Sequence, residues 1–284
     1  VAIVGPTASG KSGLALNIAQ QFNGEIVAAD SRTIYRDMDI GTAKPTAEEQ
    51  RMAPHYLLDV VFPNQAFTAA DFQRLADEAV EDIRSRGKLP VLVGGTGLYV
   101  DAVLYDFSFK NHENPTLRAE LSKLSLQELQ ARAEAIGIEL NRSDWNNPRR
   151  LIRAIESGGE RPKRGSLPVD IMLVGINPPR AELIKAIEVR MDQMFARGLV
   201  EEVRALVRQY GADSEALTGI GYREIIPLLS GKGSQAQARE AIVRDTLQYA
   251  KRQLTWFKRN PDIKWFESAD SAKAYLIEKL SAPL

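Results

Sequence analysis

The sequence predicts an α/β protein, a parallel sheet with flanking helices and a smaller all-helical insertion domain. Three observations carry this. Short apolar runs alternate with helical spacing over the first 106 residues, as strand–helix–strand units require. The first run feeds the loop Gly5-Pro6-Thr7-Ala8-Ser9-Gly10-Lys11-Ser12, which fits G-x-x-x-x-G-K-[ST] and marks the sheet as P-loop NTPase-like. From residue 107 to 167 helical periodicity continues without a strand. Residues 1–106 and 168–284 therefore read as one discontinuous core, and 107–167 as its insert.

Residues 1–5, VAIVG, read as a buried strand, and helical spacing follows over 11–22 through Leu14, Leu16, Ile18 and Ala19. Residues 25–30 read as a second strand ending on the carboxylate of Asp30, and 55–61 as a third. Thr68-Ala-Ala-Asp71 is a capping box that opens a helix stopping at Gly87. Residues 89–93 form a fourth strand that breaks into Gly94-Gly95-Thr96-Gly97. In the insert, Ser125-Leu-Gln-Glu128 is a second capping box. Residues 169–176 return as a strand, and 177–260 read as helices packing back on the sheet.

Composition narrows the chemistry. Hydrophobic content of 44% and charged content of 26% are those of an ordinary soluble globular protein. No stretch approaches the ~18 apolar residues of a membrane span, so a cytoplasmic protein without a membrane partner is expected. The absence of cysteine removes disulfides and thiolate metal sites, and two histidines, His55 and His112, are too few for a histidine cage. Net charge is zero but unevenly spread: residues 1–106 hold 9 Lys/Arg against 14 Asp/Glu. Residues 142–164 and 239–264 each hold seven basic residues against three acidic ones. Such windows attract a phosphate backbone, or are solvated helix faces.

Ligands of open parallel sheets sit beyond the carboxyl ends of the strands, where three loops here converge. The phosphate loop offers backbone N–H groups, a helix dipole, the Lys11 ammonium and the Ser12 hydroxyl, a candidate Mg²⁺ ligand. Such a loop suits a nucleotide such as ATP or another phosphate ester. The second loop, Asp30-Ser31-Arg32-Thr33-Ile34-Tyr35-Arg36, places Asp30 to hold Mg²⁺ through water, to take a proton, or to cap the next turn. Arg32 and Arg36 meet phosphates or solvent. The third loop, Gly94-Gly95-Thr96-Gly97-Leu98-Tyr99, lets backbone approach a ligand closely.

The segments GPTASGKS, DSRTIYR, DIGTAKP, GGTGLY, NNPRRLIRAIE, LTGIGYREI and YAKRQLTWFKR occur in one order from residue 1 to about 260. In this the chain resembles the bacterial tRNA dimethylallyltransferase (tRNA isopentenyltransferase) family. The resemblance implies that the phosphate loop holds the diphosphate of dimethylallyl diphosphate through Gly5, Pro6, Thr7, Ala8, Ser9, Gly10, Lys11 and Ser12, with Mg²⁺ as cofactor. It implies prenyl transfer to N6 of adenosine 37 beside the anticodon of tRNAs that read U-starting codons. Asp30 is the implied general base, and Thr7, Lys11 and Arg190 the implied catalytic partners of the leaving group. The implied tRNA contacts are Asp30, Ser31, Arg32, Thr33 and Thr96 at the adenine, with Arg118, Arg149, Arg150, Leu151, Ile152, Arg153 and Arg252 on the anticodon stem-loop. Arg149, Arg150 and Arg153 share a helix face by the three/four rule, whereas Trp256 and Phe257 read as core. A monomer is expected. The family often has Gln at the place of Thr33 and His at that of Tyr56, and Thr33 is too short for a bidentate contact to adenine. Two other readings of the phosphate loop are a small-molecule kinase and an adenylate isopentenyltransferase acting on free nucleotide. Neither needs the basic insert. A non-catalytic, nucleotide-dependent RNA-binding switch would need the insert but not a carboxylate at residue 30.

Overall fold

The computed structural model describes residues 1–109, 114–160 and 165–282, so His112 and the basic residues 161–164 lie outside the described residues. Two compact units are present, Val1–Leu104 with Leu167–Leu284, and Tyr105–Ser166.

The first unit holds a six-stranded, fully parallel sheet. Its strands are β1 (Ala2–Val4), β2 (Gly24–Ala29), β3 (His55–Tyr56), β4 (Leu89–Gly94), β5 (Leu173–Ile176) and β6 (Lys264–Phe266), in the spatial order β3-β2-β4-β1-β5-β6. Helices α1 (Lys11–Gln21), α2 (Ala47–Met52), α3 (Ala69–Ser85) and α4 (Gly97–Leu104) alternate with the first strands. The four central strands are buried along most of their length, as parallel strands covered on both faces must be. Ile3, Ile26, Val91 and Val174 of the sheet pack with Leu14 and Ile18 of α1 and with Leu276 of α13 (Ala269–Ser281). Phe72 of α3 stacks on Tyr99 of α4 with ring centroids 4.1 Å apart.

Helices α9 (Arg180–Ala196), α10 (Leu199–Tyr210), α11 (Ile226–Leu229) and α12 (Gln235–Phe257) complete this unit. A second apolar cluster ties the loop after β2 (Ile34, Tyr35, Met38) to Met191 and Met194, Val203 and Leu206, and Tyr222 and Ile242. That loop carries the residues read as the second functional loop, so its backbone is fixed by helices more than 150 residues away in sequence.

The second unit contains α5 (Pro115–Leu121), α6 (Leu126–Ala135), α7 (Arg142–Trp145) and α8 (Pro148–Glu156). Its core is Leu121, Leu129, Ala133, Ile138, Leu151, Ala154 and Ile155. Both capping boxes read from the sequence form, at Thr68/Asp71 and Ser125/Glu128.

The structure corrects three details. The third strand ends at Tyr56 rather than at Val61, because Leu57 (φ 63°) and Asp59 (φ 56°) are left-handed and turn the chain out of the sheet; Val61 returns only as a bridge to Tyr35. The fifth strand begins at Leu173 rather than at residue 169, where Val169 is exposed. A sixth strand and a closing helix, β6 and α13, follow residue 260 and cover the β5 edge. No described helix is long and apolar enough to cross a membrane.

Candidate active site

The carboxyl ends of β1, β2 and β4 release the three loops onto one cavity of about 330 Å³. Thr7, Lys11, Ser12, Asp30, Ser31, Arg32, Thr33 and Gly94 line it from the sheet side. Arg190 of α9 and Arg252 of α12 line the opposite side. Of the residues singled out in the core unit, the structure therefore gathers all the side chains implied in chemistry.

The phosphate loop takes its shape from a left-handed residue at each turn. Gly10 caps α1 at φ 86° without a side-chain hydrogen bond, leaving the first N–H groups of the helix for another acceptor. Lys11 Nζ folds back on Pro6 O at 3.0 Å. Burial lowers the Lys11 ammonium to a pKa of about 8; the neighbouring Arg190 adds to this and Asp30 opposes it. Burial also lowers Arg190, again against the pull of Asp30, and its Nη1 donates to Thr7 Oγ1 at 3.2 Å. Two desolvated cations thus flank one loop, and among the described residues neither forms an ion pair with a carboxylate. Ser9 Oγ is buried and has no partner.

Asp30 stands one residue beyond β2. Its Oδ1 accepts the N–H of Arg32 at 2.8 Å, so it does cap the following turn, and it lines the cavity as well. Thr96 Oγ1, from the third loop, accepts the N–H of Ser31 at 3.0 Å and locks the second loop to the third. Arg32 Nη1 donates to Ala216 O, and Arg36 Nε to Asp59 O while its guanidinium covers Phe62; both are held by protein. Thr33 is buried against the cavity with its Oγ1 unpartnered. Tyr56 bonds Glu25 at the opposite end of β2, so its departure from the family pattern belongs to a structural cluster.

Several wall residues have no individual role in the sequence reading, although 218–223 fall within LTGIGYREI and 249 and 253 within YAKRQLTWFKR. Thr218 to Arg223 close one side. Glu202 anchors the 39–41 turn through three backbone N–H groups and also accepts the hydroxyl of Tyr222. Ile187, Met191, Met194 and Ile242 supply an apolar wall. Tyr249 lines the cavity with its hydroxyl pushed up to about 12, by burial first and by Asp30 second. Gln253 is buried at 5% exposure between two of the loops. Besides its place in YAKRQLTWFKR, its sequence trace is a polar side chain on the buried stripe Ala250–Gln253–Phe257.

The helical unit gives a mixed result. Arg149, Arg150 and Arg153 are exposed on α8, and Arg150 pairs with Asp144. Arg118 is committed to a two-pronged bond on Glu156, at 2.8 and 2.6 Å. Leu151 is a correction: at 0% exposure it is core, and Ile152 packs half-buried against the same cluster, so the side chain of Leu151 has no surface to offer RNA. Phe257 is core as read, but Trp256 is 38% exposed, with its indole N–H on Asp101 at 2.8 Å.

Comparison with known proteins adds the family. A family model described as IPP transferase matches residues 33–260. The tRNA dimethylallyltransferase 2 of Geotalea daltonii is 44% identical over 283 residues, spanning 94% of this chain and 87% of that protein. The crystal structure of the full-length tRNA isopentenylpyrophosphate transferase of Bacillus halodurans has a TM-score of 0.75 at 36% identity, covering 99% of this chain and 94% of that one. A eukaryotic dimethylallyltransferase acting on tRNA gives a TM-score of 0.81 at 24% identity, over 100% of this chain and 80% of its own, a likeness of fold.

Proposed function

The chain belongs to the IPP transferase family, and we propose that it moves the dimethylallyl group of dimethylallyl diphosphate to N6 of adenosine 37, beside the anticodon of tRNAs reading U-starting codons, and releases diphosphate. One observation carries the chemical part of this reading. Two half-buried, partly desolvated cations, Lys11 and Arg190, meet the phosphate loop and share one cavity with a single carboxylate, Asp30.

In the reaction the C1–O bond to diphosphate breaks and its electron pair leaves with the bridging oxygen. The N6–C1 bond forms, and the N6 proton goes to the Asp30 carboxylate. Charge grows on the leaving oxygens, where Lys11, Arg190 and the free amides at the start of α1 are already aimed; donors placed in advance lower the barrier. Their desolvation strengthens each interaction. Arg32 N–H fixes the Asp30 carboxylate through Oδ1, and Oδ2, which accepts no hydrogen bond from the described residues, is the oxygen assigned to the proton. General-base help of this kind contributes about 10²–10⁴-fold. Ile187, Met191, Met194 and Ile242 give the five-carbon unit an apolar wall.

The residues fit a Mg²⁺ that arrives with the diphosphate. Ser12 and Asp30 both line the cavity, and among the described residues no cluster of three or more His, Asp or Glu makes a protein-only cage. Held by Ser12 and Asp30, such an ion would supply positive charge to offset that of the diphosphate. The adenine must leave its stack to enter, at low cost from an unpaired loop. Arg252 at the cavity and Arg149, Arg150 and Arg153 on the insert are assigned to the RNA backbone. One chain holds every reacting group, so the monomer is the functional unit.

The test is to incubate the protein with an unmodified anticodon stem-loop and either prenyl-labelled dimethylallyl diphosphate or γ-labelled ATP. Prenyl label on the RNA, at the adenosine 3′ of the anticodon, is expected. Transfer of the γ-phosphoryl group to a small molecule, with no prenyl label on RNA, would overturn the reading.

A further inference from the structure

The phosphate loop and the Gly94–Gly97 loop leave adjacent strands, paired as far as Val4 and Gly94, and beyond that ladder no backbone hydrogen bond among the described residues joins them. One side chain does. Gln253 Oε1 accepts the N–H of Thr7 at 2.8 Å, and its Nε2 donates to Gly95 O at 2.9 Å. The amide orientation follows from the partners, because a backbone N–H only donates and a carbonyl only accepts. Gln253 sits on α12, whose Ala250 and Phe257 are buried on the same face, so its rotamer is held by the core. Gly95 is shaped around it: a Cβ there would lie 2.2 Å from Gln253 Nε2.

Each end of this bridge continues into the chemistry. Thr7 Oγ1 accepts from Arg190 on the leaving-group side. Gly95 precedes Thr96, whose hydroxyl accepts the N–H of Ser31, the neighbour of Asp30. A continuous path therefore runs from the diphosphate cation, through Thr7, Gln253, Gly95 and Thr96, to the base. We infer that Gln253 is a positioning residue that sets the separation between the diphosphate cradle and the Asp30 wall, so that C1 of the donor and N6 of the acceptor meet within bonding reach. It touches neither reacting atom. The inference rests on the prenyl-transfer reading and adds to it a residue with no direct chemical role.

Misplacement by about 1 Å costs on the order of 10²-fold in rate when the reacting groups themselves remain. Gln253→Leu is therefore expected to lower kcat about 30- to 100-fold. The KM for dimethylallyl diphosphate and the affinity for inorganic diphosphate should stay within about threefold, because Lys11, Arg190 and the amides at the start of α1 are untouched. Gln253→Glu keeps an acceptor for Thr7 but sets an oxygen against Gly95 O, and should show the same kcat-directed loss. Gly95→Ala pushes on Nε2 from the other side and should lower kcat as well. The double variant Gly95→Ala/Gln253→Ala, which removes the collision, should be no slower than Gln253→Ala alone rather than multiplicatively worse. All kinetics are taken well below each variant's melting temperature. Folded Gln253→Leu and Gln253→Glu proteins with wild-type kcat, losses confined to KM or melting temperature, or multiplicative behaviour of the double variant would each overturn the inference. Wild-type prenyl transfer in the same experiment keeps the two questions apart: its absence ends both readings, its presence with unaffected variants ends only this one.

Discussion

The second strand carries a carboxylate near each end, and the two live in opposite circumstances. At its start, Glu25 is 2% exposed and fully answered: Arg86 forks onto both oxygens at 2.7 and 2.6 Å, and Lys88 and Tyr56 add bonds at 2.5 and 2.8 Å. The Arg86 bond, ahead of all other causes, holds its pKa down at about 2. Just past the other end, about 17 Å away at strand rise, Asp30 accepts one backbone N–H and faces two half-buried cations that do not close on it. A closed cluster stabilises a fold. An open one, whose partly desolvated cations feel the pull of Asp30 but form no ion pair with it, is a receptor for an anion from outside.

The largest effect expected is at the open end. Asp30→Ala should lower prenyl transfer by about 10²–10⁴-fold while leaving stem-loop affinity within a few-fold; near-normal single-turnover rates from the folded variant would remove Asp30 from the chemistry. The closed end should respond in stability alone. Glu25→Gln takes away the buried anion on which Arg86 and Lys88 converge, and should lower stability, read by urea denaturation, with turnover unchanged. The sign of the pH effect follows: the folded pKa, about 2, lies below the ordinary carboxylate value, so this contribution is complete above about pH 4.5 and drains as pH falls toward 2. The Glu25→Gln variant should therefore lose less stability than wild type between those values. A loss of turnover with no loss of stability would mean the two ends are not separate in role. The smallest effect is on the insert, where Arg153→Ala should reduce the salt slope of stem-loop binding by about one; an unchanged slope would take α8 out of the RNA contact.

The same contrast explains what the sequence made legible. The phosphate loop and Asp30 are local: a contiguous motif, and the first residue after an apolar run beside it. Both capping boxes are local for the same reason. Arg190 was reached only through the family resemblance, because its partner Thr7 lies 183 residues earlier and nothing near Arg190 records the contact. Gln253 stands within the YAKRQLTWFKR segment, but its role is not legible there, since its partners are 246 and 158 residues away. The third strand was drawn too long because periodicity does not report the left-handed backbone of Leu57 and Asp59. The sixth is a three-residue edge, too short for a pattern. Leu151 was carried into the RNA contact with the arginines of its motif, although three/four spacing on α8 turns it into the core while Arg149, Arg150 and Arg153 face out.

The open receptor is tested most directly by titrating inorganic diphosphate into wild type and Lys11→Arg between pH 7 and 9.5. The Lys11 ammonium titrates at about 8 in the free protein, whereas a guanidinium stays charged throughout. Wild-type affinity should fall relative to the variant above pH 8, by up to about tenfold per pH unit. A ratio that stays flat across the range, or wild-type protein that does not bind diphosphate, would contradict the account.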